Sequence, residues 1–163
     1  MRIIKEILPY IVILLVVIVI RTFIATPVVV SGESMDDTLK DGEILLLKKY
    51  DKSYERFEIV VFQYGESKLV KRVIGLPGEH VKYENGVLYI NGEKVEDTFA
   101  SITKDFDLKY LGFDVIPEGY YFVLGDNRIK SSDSRIIGLV SKDVIKGTTN
   151  FSLWPFGKVK EKK

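Results

Sequence analysis

The sequence lacks cysteine altogether and has a single histidine, His80, among its 163 residues. Without thiols the chain has no disulfides and no cysteine nucleophile, and a zinc site would need ligands almost wholly from carboxylates, which zinc rarely accepts alone. A dominant charge is absent too, because 24 lysines and arginines face 23 aspartates and glutamates. Transition-metal catalysis and nucleic-acid binding are therefore not expected.

Charges are also absent from Ile7 to Ile20, a run dominated by isoleucine, valine and leucine. Continued past Arg21 to residue 25, the run would span roughly 29 Å as a helix, close to the hydrocarbon thickness of a bilayer. A buried core helix or a cleaved secretory signal would also be apolar. Cleavage after residue 25 is disfavoured by the bulky Phe23 and by Pro27. We therefore predict an uncleaved membrane anchor.

The basic residues Arg2 and Lys5 precede this run, and no other basic residue occurs between Arg21 and Lys40. Cytoplasmic flanks of membrane helices are enriched in such residues. The pattern predicts a single-pass cell-membrane protein, with a cytoplasmic stub and transmembrane anchor at 1–25 and the remainder outside the cytoplasm.

From Val28 onward, short apolar runs alternate with turn residues, a pattern that predicts a mainly β fold. The predicted strands are Glu43–Lys48, Glu58–Phe62, Lys68–Ile74, Val81–Tyr83, Val87–Ile90, Tyr120–Leu124 and Asn150–Leu153. The clearest hairpin turns at Asn85-Gly86, which supplies the two positive φ angles of a tight primed turn. A second Asn-Gly pair, Asn91-Gly92, predicts another turn.

The predicted fold is thus an N-terminal transmembrane helix followed by a β-rich core with a small β insertion. The core takes residues 26–82 and 114–157, and the inserted hairpin subdomain takes residues 83–113. A short helix is predicted over Ser141–Lys146, ended by the glycine that follows. Residues 158–163 form a basic tail.

Ser34 lies in a polar loop, Ser31–Leu39, between the anchor and the first of these strands. A serine held there could present its hydroxyl to a chain emerging from the bilayer, and its backbone N–H to an oxyanion. The loop differs from Gly-x-Ser-x-Gly, because Asp36 replaces the second glycine, and from Ser-x-x-Lys, because Asp37 replaces the lysine. A surface turn rich in serine, glycine and aspartate is the alternative.

Lys71 lies in a predicted strand, and its neighbours on the same face, Leu69 and Val73, are apolar. An ordinary lysine, with a pKa of about 10.4, is no base at neutral pH, but loss of water lowers that pKa by disfavouring the charged form. A neutral Lys71 would accept the proton of Ser34. The alternative is a solvated lysine that protects an edge strand from aggregation.

The third polar segment, Leu124–Arg135, follows a strand and is dense in side chains that form hydrogen bonds. Ser131 is suited to orient a neutral lysine, and Asp133 and Arg135 are suited to pair and hold the loop. A hydrophilic turn is the simpler interpretation of this segment taken alone.

Taken together, these segments resemble the type I signal peptidases, membrane-anchored serine proteases that remove signal peptides, and most of all the short single-anchor bacterial form. The resemblance rests on an ordered set: the anchor, Ser31–Leu39, Gly42-Glu43, Lys71–Glu79 and Gly125–Arg135. It implies that Ser34 is the nucleophile and Lys71 the general base. It also implies that Met35 packs near the substrate site, that Ser131 orients Lys71, and that Asp133 and Arg135 are structural.

The implied reaction is acyl transfer through an acyl-enzyme, with no metal or cofactor. The implied partners are signal-peptide-bearing precursors and the lipid bilayer, and a monomer is expected. The resemblance further implies a preference for Ala-x-Ala before the cut, with the substrate bound as an added strand. Thr26–Val30 and Val70–Ile74 are the expected pocket walls.

Two positions depart from the family pattern. Asp37 stands where proline is common, which frees one φ angle and adds a charge near the nucleophile. Gly32 stands where some members place a serine that helps hold the oxyanion. These departures support one alternative function, a catalytically silent membrane-anchored relative that binds precursors or a protease partner. A hydrolase using Ser34, His80 and an aspartate is a second alternative.

Overall fold

The computed structural model describes residues 2–36, 38–49, 53–99 and 102–159. Helix α1 (Arg2–Val19) continues as one π-helical turn over Ile20–Ile24. Residues Glu6–Ile24 have a mean hydropathy of 2.8, and the rest of the protein buries none of this stretch. The helix is long and apolar enough to cross a membrane, as the sequence predicts.

The strands that follow pair antiparallel throughout the described residues. Their bounds are β1 Ala25–Val29, β2 Ile44–Lys48, β3 Ile59–Tyr64, β4 Ser67–Gly75, β5 Val81–Glu84, β6 Val87–Ile90, β7 Glu93–Val95, β8 Phe106–Asp107, β9 Tyr120–Leu124, β10 Val140–Ser141, β11 Ile145–Thr149, β12 Phe151–Trp154 and β13 Phe156–Lys158. A first sheet has the order β10-β9-β4-β3-β11-β2-β12-β13, with β1 also paired to β2, and a second sheet has the order β7-β6-β5-β8. The mainly β prediction is confirmed.

The base of the anchor is bound to the first sheet. Thr26 Oγ1 and Lys49 Nζ donate to the Arg21 carbonyl at 2.8 and 2.9 Å, and Lys49 N donates to the Ile24 carbonyl at 3.0 Å. Because β1 begins at the residue after Ile24, the helix passes directly into the sheet with no linker.

The two Asn-Gly turns form as predicted. Asn85 and Gly86 have φ angles of 49° and 78°, and Asn91 and Gly92 have φ angles of 53° and 85°. The first pair joins β5 to β6 and the second joins β6 to β7. Local turn chemistry therefore builds most of the second sheet.

Apolar side chains of the second sheet pack against the first sheet, since one cluster joins Val81 and Tyr83 of β5 to Ile74 of β4 and Phe122 of β9. A separate cluster, which includes Val28 and Val70, fills the side of the first sheet that carries β1. The sheets share a core, and the proposed division into a core and an insertion stays a prediction.

The predicted helix over Ser141–Lys146 is wrong in extent. The structure has a single 3₁₀ turn, Lys142–Val144, capped by the Ser141 hydroxyl, and β11 begins at the next residue. The glycine expected to end the helix, Gly147, lies inside β11. Pairing of β11 with β3 outweighs the local cap signal.

The sequence patterns also missed several short elements, among them β7 and β13, which pair with the strand that precedes each of them in the chain. The missed elements are β1, β7, β8, β10, β11, β13, the 3₁₀ turn Leu108–Leu111 and helix α2 (Ser134–Ile137).

Candidate active site

Lys71 of β4 and Ser34 of the turn between β1 and β2 lie side by side. Lys71 Nζ lies 2.7 Å from Ser34 Oγ and 3.0 Å from the Val70 carbonyl oxygen. Lys71 is 2 % exposed, and this burial lowers its pKa from 10.5 to about 8, although the negative charges of Asp133 and Asp126 oppose part of the change. In mildly alkaline solution Lys71 is substantially neutral and able to accept the hydroxyl proton.

Ser34 is presented by a turn that the next residue, Met35, holds in place. The Met35 carbonyl accepts hydrogen bonds from the backbone N–H groups of Thr38 and Leu39, at 3.0 and 2.8 Å. The Met35 side chain is 1 % exposed and belongs to the apolar cluster around Val28. Met35 therefore fastens the turn to the core and leaves the Ser34 hydroxyl facing Lys71.

Lys71 is shielded from water because of its place in β4. Every residue from Val70 to Gly75 is buried, because β3 covers one edge of the strand and apolar clusters cover its faces. The solvated edge-strand alternative does not fit a lysine in this position. The apolar flanks in the sequence indicated this burial correctly.

The next residue, Arg72, holds the loop that follows β9. Its Nε and Nη2 donate to the two carboxylate oxygens of Asp126 at 2.8 and 2.5 Å, and Nη1 donates to the Phe57 carbonyl at 2.7 Å. Asp126 also accepts from Thr38 Oγ1 at 2.5 Å. Because Thr38 follows Ser34 by four residues, this buried ion pair fixes the serine turn against β4.

Gly125 allows Ser34 and Ser131 to lie close together. A Cβ at residue 125 would overlap the Ser34 carbonyl oxygen and Ser131 Oγ, so only glycine fits there. The Ser34 carbonyl also accepts from Asn127 N at 3.1 Å. Ser131 Oγ is buried and has no hydrogen-bond partner among the described groups, so the structure brings it beside the dyad without a bond to Lys71.

Asp133 and Arg135 pair as expected from the sequence. Arg135 Nε and Nη2 donate to the carboxylate of Asp133 at 2.8 Å each, and Gly125 N donates to the same carboxylate at 3.1 Å. Arg135 Nη2 also donates to the Arg128 carbonyl at 2.7 Å. The pair therefore closes the loop that begins at Gly125.

The site thus contains a buried lysine within hydrogen-bond distance of a serine. This arrangement agrees with the family to which the sequence is similar. A family model described as signal peptidase, peptidase S26, matches residues 3–154. The chain belongs to the S26 family of signal peptidases.

Individual members of the S26 family are similar over nearly the whole chain. Signal peptidase IB of Staphylococcus aureus (strain COL) is 41 % identical, with 96 % of this chain and 94 % of the relative covered. Signal peptidase I of Bacillus caldolyticus is 40 % identical, with 91 % and 90 % covered. The crystal structure of a signal peptidase I from Enterococcus faecalis superposes with a TM-score of 0.55 at 38 % identity, covering 59 % of this chain and 96 % of that chain.

Of the two departures from the S26 family pattern, Gly32 lies within the described residues. Gly32 has a φ angle of 91°, and its N–H donates to Asp41 Oδ1 at 2.7 Å, so it forms a left-handed turn rather than presenting a hydroxyl. Asp37 lies outside the described residues.

His80 lies apart from the serine. Its Nδ1 is 2.6 Å from the Asp114 carbonyl oxygen, and its Nε2 is 3.3 Å from Asp107 Oδ1. Both neighbours belong to the second sheet and its exit, whereas the Ser34 hydroxyl faces Lys71. The geometry does not favour a serine-histidine hydrolase.

Sequence reasoning gave no role to Asp126, Thr38 or the side chain of Arg72, although all three are buried at the site. The available signal was an arginine inside an apolar strand, which requires a carboxylate partner. The partner lies 54 residues away, and sequence spacing alone does not identify it.

Proposed function

We propose that this signal peptidase is a membrane-bound serine endopeptidase that cleaves signal peptides from exported precursors with Ser34 as nucleophile and Lys71 as general base. The observation that carries the proposal is the 2.7 Å separation of Lys71 Nζ and Ser34 Oγ at a lysine that is nearly fully buried. A hydroxyl at this distance from an uncharged amine is poised for proton transfer.

The chemistry follows from that contact. Neutral Lys71 takes the proton as Ser34 Oγ attacks the scissile carbonyl, and the Ser34 backbone N–H donates to the oxyanion of the tetrahedral intermediate. Lys71 then delivers the proton to the departing amine, which is the new N-terminus of the mature protein. In the second half-reaction the neutral lysine activates a water molecule that hydrolyses the acyl-enzyme.

The substrate backbone binds as an added strand. β1 pairs on one edge with β2, and β9 pairs with β4 only from Arg72 to Gly75, which leaves the edge at Lys68–Lys71 without a strand partner among the described residues. The free edge of β1 precedes Ser34 in the chain, and the free edge of β4 ends at Lys71. A peptide between them would gain main-chain hydrogen bonds, and the buried Val30 and Val70 favour small apolar side chains before the cut.

The anchor places this site at the membrane. The N-terminus, with its basic residues, lies in the cytoplasm, and the sheets lie on the opposite side. Signal-peptide-bearing precursors are the partners, and the protein acts as a monomer. Ser131 orients Lys71 when substrate or water enters, and Asp133 and Arg135 keep the loop in place.

The test uses full-length protein in detergent with one Ala-x-Ala precursor. Wild type should cleave it, and Ser34→Ala and Lys71→Ala should each lower kcat/KM by about 10³-fold or more. His80→Ala is the matched control and should retain activity. A wild-type protein that binds the precursor without cutting it would instead support the catalytically silent alternative, and loss of activity in His80→Ala with Lys71→Ala active would overturn the dyad.

A further inference from the structure

The second sheet reaches the active site through one buried arginine. Arg128 is 5 % exposed, and its Nε donates to the Gly125 carbonyl at 2.9 Å. Its other two nitrogens bind β5 and the segment between β7 and β8: Nη1 donates to Tyr83 OH at 3.1 Å and to Thr103 Oγ1 at 2.5 Å, and Nη2 donates to Asp97 Oδ2 at 2.7 Å. The position of the guanidinium, and so of the Gly125 carbonyl, is set from the second sheet.

Asp97 is the charged partner in this contact. Its Oδ2 also accepts from Tyr83 OH at 2.7 Å, its Oδ1 accepts from Phe99 N at 3.2 Å, and its side chain is 6 % exposed. A buried pair whose oxygens and nitrogens are all used has little freedom to rearrange. Loss of the carboxylate charge would leave the cation of Arg128 without a counter-charge.

The same segment touches the other arginine of the site. The guanidinium of Arg72 lies over the ring of Phe99, 3.6 Å from its centroid, in a cation–π contact. Arg72 holds the Asp126 carboxylate and Arg128 holds the Gly125 carbonyl. Two residues of the second sheet's outlying segment, Asp97 and Phe99, therefore bear on two adjacent residues of the loop beside the nucleophile.

Gly125 is a sensitive point for such control. Its Cα lies so close to the Ser34 carbonyl and to Ser131 Oγ that no side chain fits between them. A small displacement of the Gly125 carbonyl would change how closely Ser131 and the serine turn enclose Lys71. Misplacement by about 1 Å is enough to lower a rate strongly.

We propose that Asp97 and Phe99 are positioning residues for catalysis, through which the second sheet clamps Arg128 and Arg72 and so holds Gly125-Asp126 against Ser34 and Ser131. The insertion then helps to position the loop beside Ser34. This inference rests on the proposed function of the Ser34–Lys71 site.

Asp97→Asn keeps the shape of the side chain and removes its charge, so it is the variant of choice. We expect kcat to fall about tenfold with KM unchanged within twofold, and the apparent pKa in the kcat profile to move toward that of free lysine as water gains access. Phe99→Leu should move both quantities in the same direction by less. Asp105→Asn is the matched control, because Asp105 lies in the same segment and accepts from Asn85 N instead of an arginine.

A fall in thermal stability with wild-type kcat and an unchanged pH profile would show a structural role only and would overturn the proposal. A readout without substrate separates this from the proposed function. The titration of Lys71, followed by NMR of ¹³C-labelled lysine and assigned with Lys71→Ala, should shift upward in Asp97→Asn and stay unchanged in Asp105→Asn. An unshifted Lys71 overturns the positioning role, whereas failure of wild type to cleave overturns the proposed function and leaves this measurement intact.

Discussion

Lys71 and Arg72 are consecutive residues of β4 on opposite faces of the sheet, and they are 2 % and 3 % exposed. Arg72 reaches both oxygens of Asp126, whereas Lys71 has, among the described residues, a hydroxyl and a carbonyl within hydrogen-bond distance. Desolvation disfavours both cations, but Arg72 donates directly to a carboxylate, whereas Asp133 and Asp126 offset the desolvation of Lys71 only in part and without a hydrogen bond among the described contacts. One buried strand thus carries a permanent charge on one face, because arginine stays protonated, and on the other face a lysine whose pKa is lowered by burial.

Removing the paired cation should have the largest effect. Arg72→Met would leave the Asp126 carboxylate buried without a counter-charge, so we expect a loss of about 3–5 kcal/mol in the free energy of unfolding. Urea unfolding in detergent measures it. Arg56→Met breaks the pair with Glu79 near the surface and should cost less. Equal losses would show that the burial of Arg72 is not what makes its pair important.

Removing Lys71, which has no ion-pair partner among the described residues, should stabilise the folded protein instead. The folded state lowers the pKa of Lys71 from 10.5 to about 8, so below pH 8 the folded protein carries the full cost of a charged, desolvated amine. Lys71→Met should therefore raise the free energy of unfolding by up to about 3 kcal/mol at pH 7. The gain should shrink between pH 8 and 10.5, and a gain that is constant over this range would contradict the desolvated base.

Activity should follow the same titration. Because the neutral form of Lys71 is the proposed base, kcat/KM should rise with an apparent pKa of about 8. This corresponds to an increase of about tenfold between pH 7 and pH 9. Initial rates on one precursor in detergent give the profile, and a rate that levels off only near pH 10 would mean that Lys71 is hydrated.

Removing the exposed cation of Lys130 should have almost no effect on stability, in contrast to Arg72 and Lys71. Lys130 Nζ pairs with Glu33 Oε2 at 2.5 Å, but both side chains are about 60 % exposed. Water and salt screen such a pair. Lys130→Met should leave the unfolding midpoint unchanged within error, and a shift as large as that of Arg72→Met would show that exposure does not separate these cations.

The parts of the fold that the sequence predicted are those with local causes. The hairpins at Asn85-Gly86 and Asn91-Gly92 require positive φ angles that these residues supply, and the apolar flanks of Lys71 predicted its burial. The helix expected over Ser141–Lys146 failed because pairing with β3 is a property of the tertiary fold.

The candidate site divides in the same way. Ser34 and Lys71 were identified by chemistry and order along the chain, and Asp133 with Arg135 by closeness in sequence. The Arg72–Asp126 pair and the contact of Asp97 with Arg128 join segments 54 and 31 residues apart. Sequence patterns with periods of two to four residues carry no signal for such distances.

The hydrogen bonds from Thr26 and Lys49 fix the end of the anchor helix to the sheet, and nine residues lie between Ile24 and Ser34. Fully extended, nine residues span at most roughly 30 Å, so the proposed catalytic centre stays close to the lipid surface. A precursor held in the same bilayer by its own apolar segment would then meet the enzyme by lateral diffusion in a plane. Their shared confinement would raise the effective concentration of the cleavage site without any added contact between the two proteins.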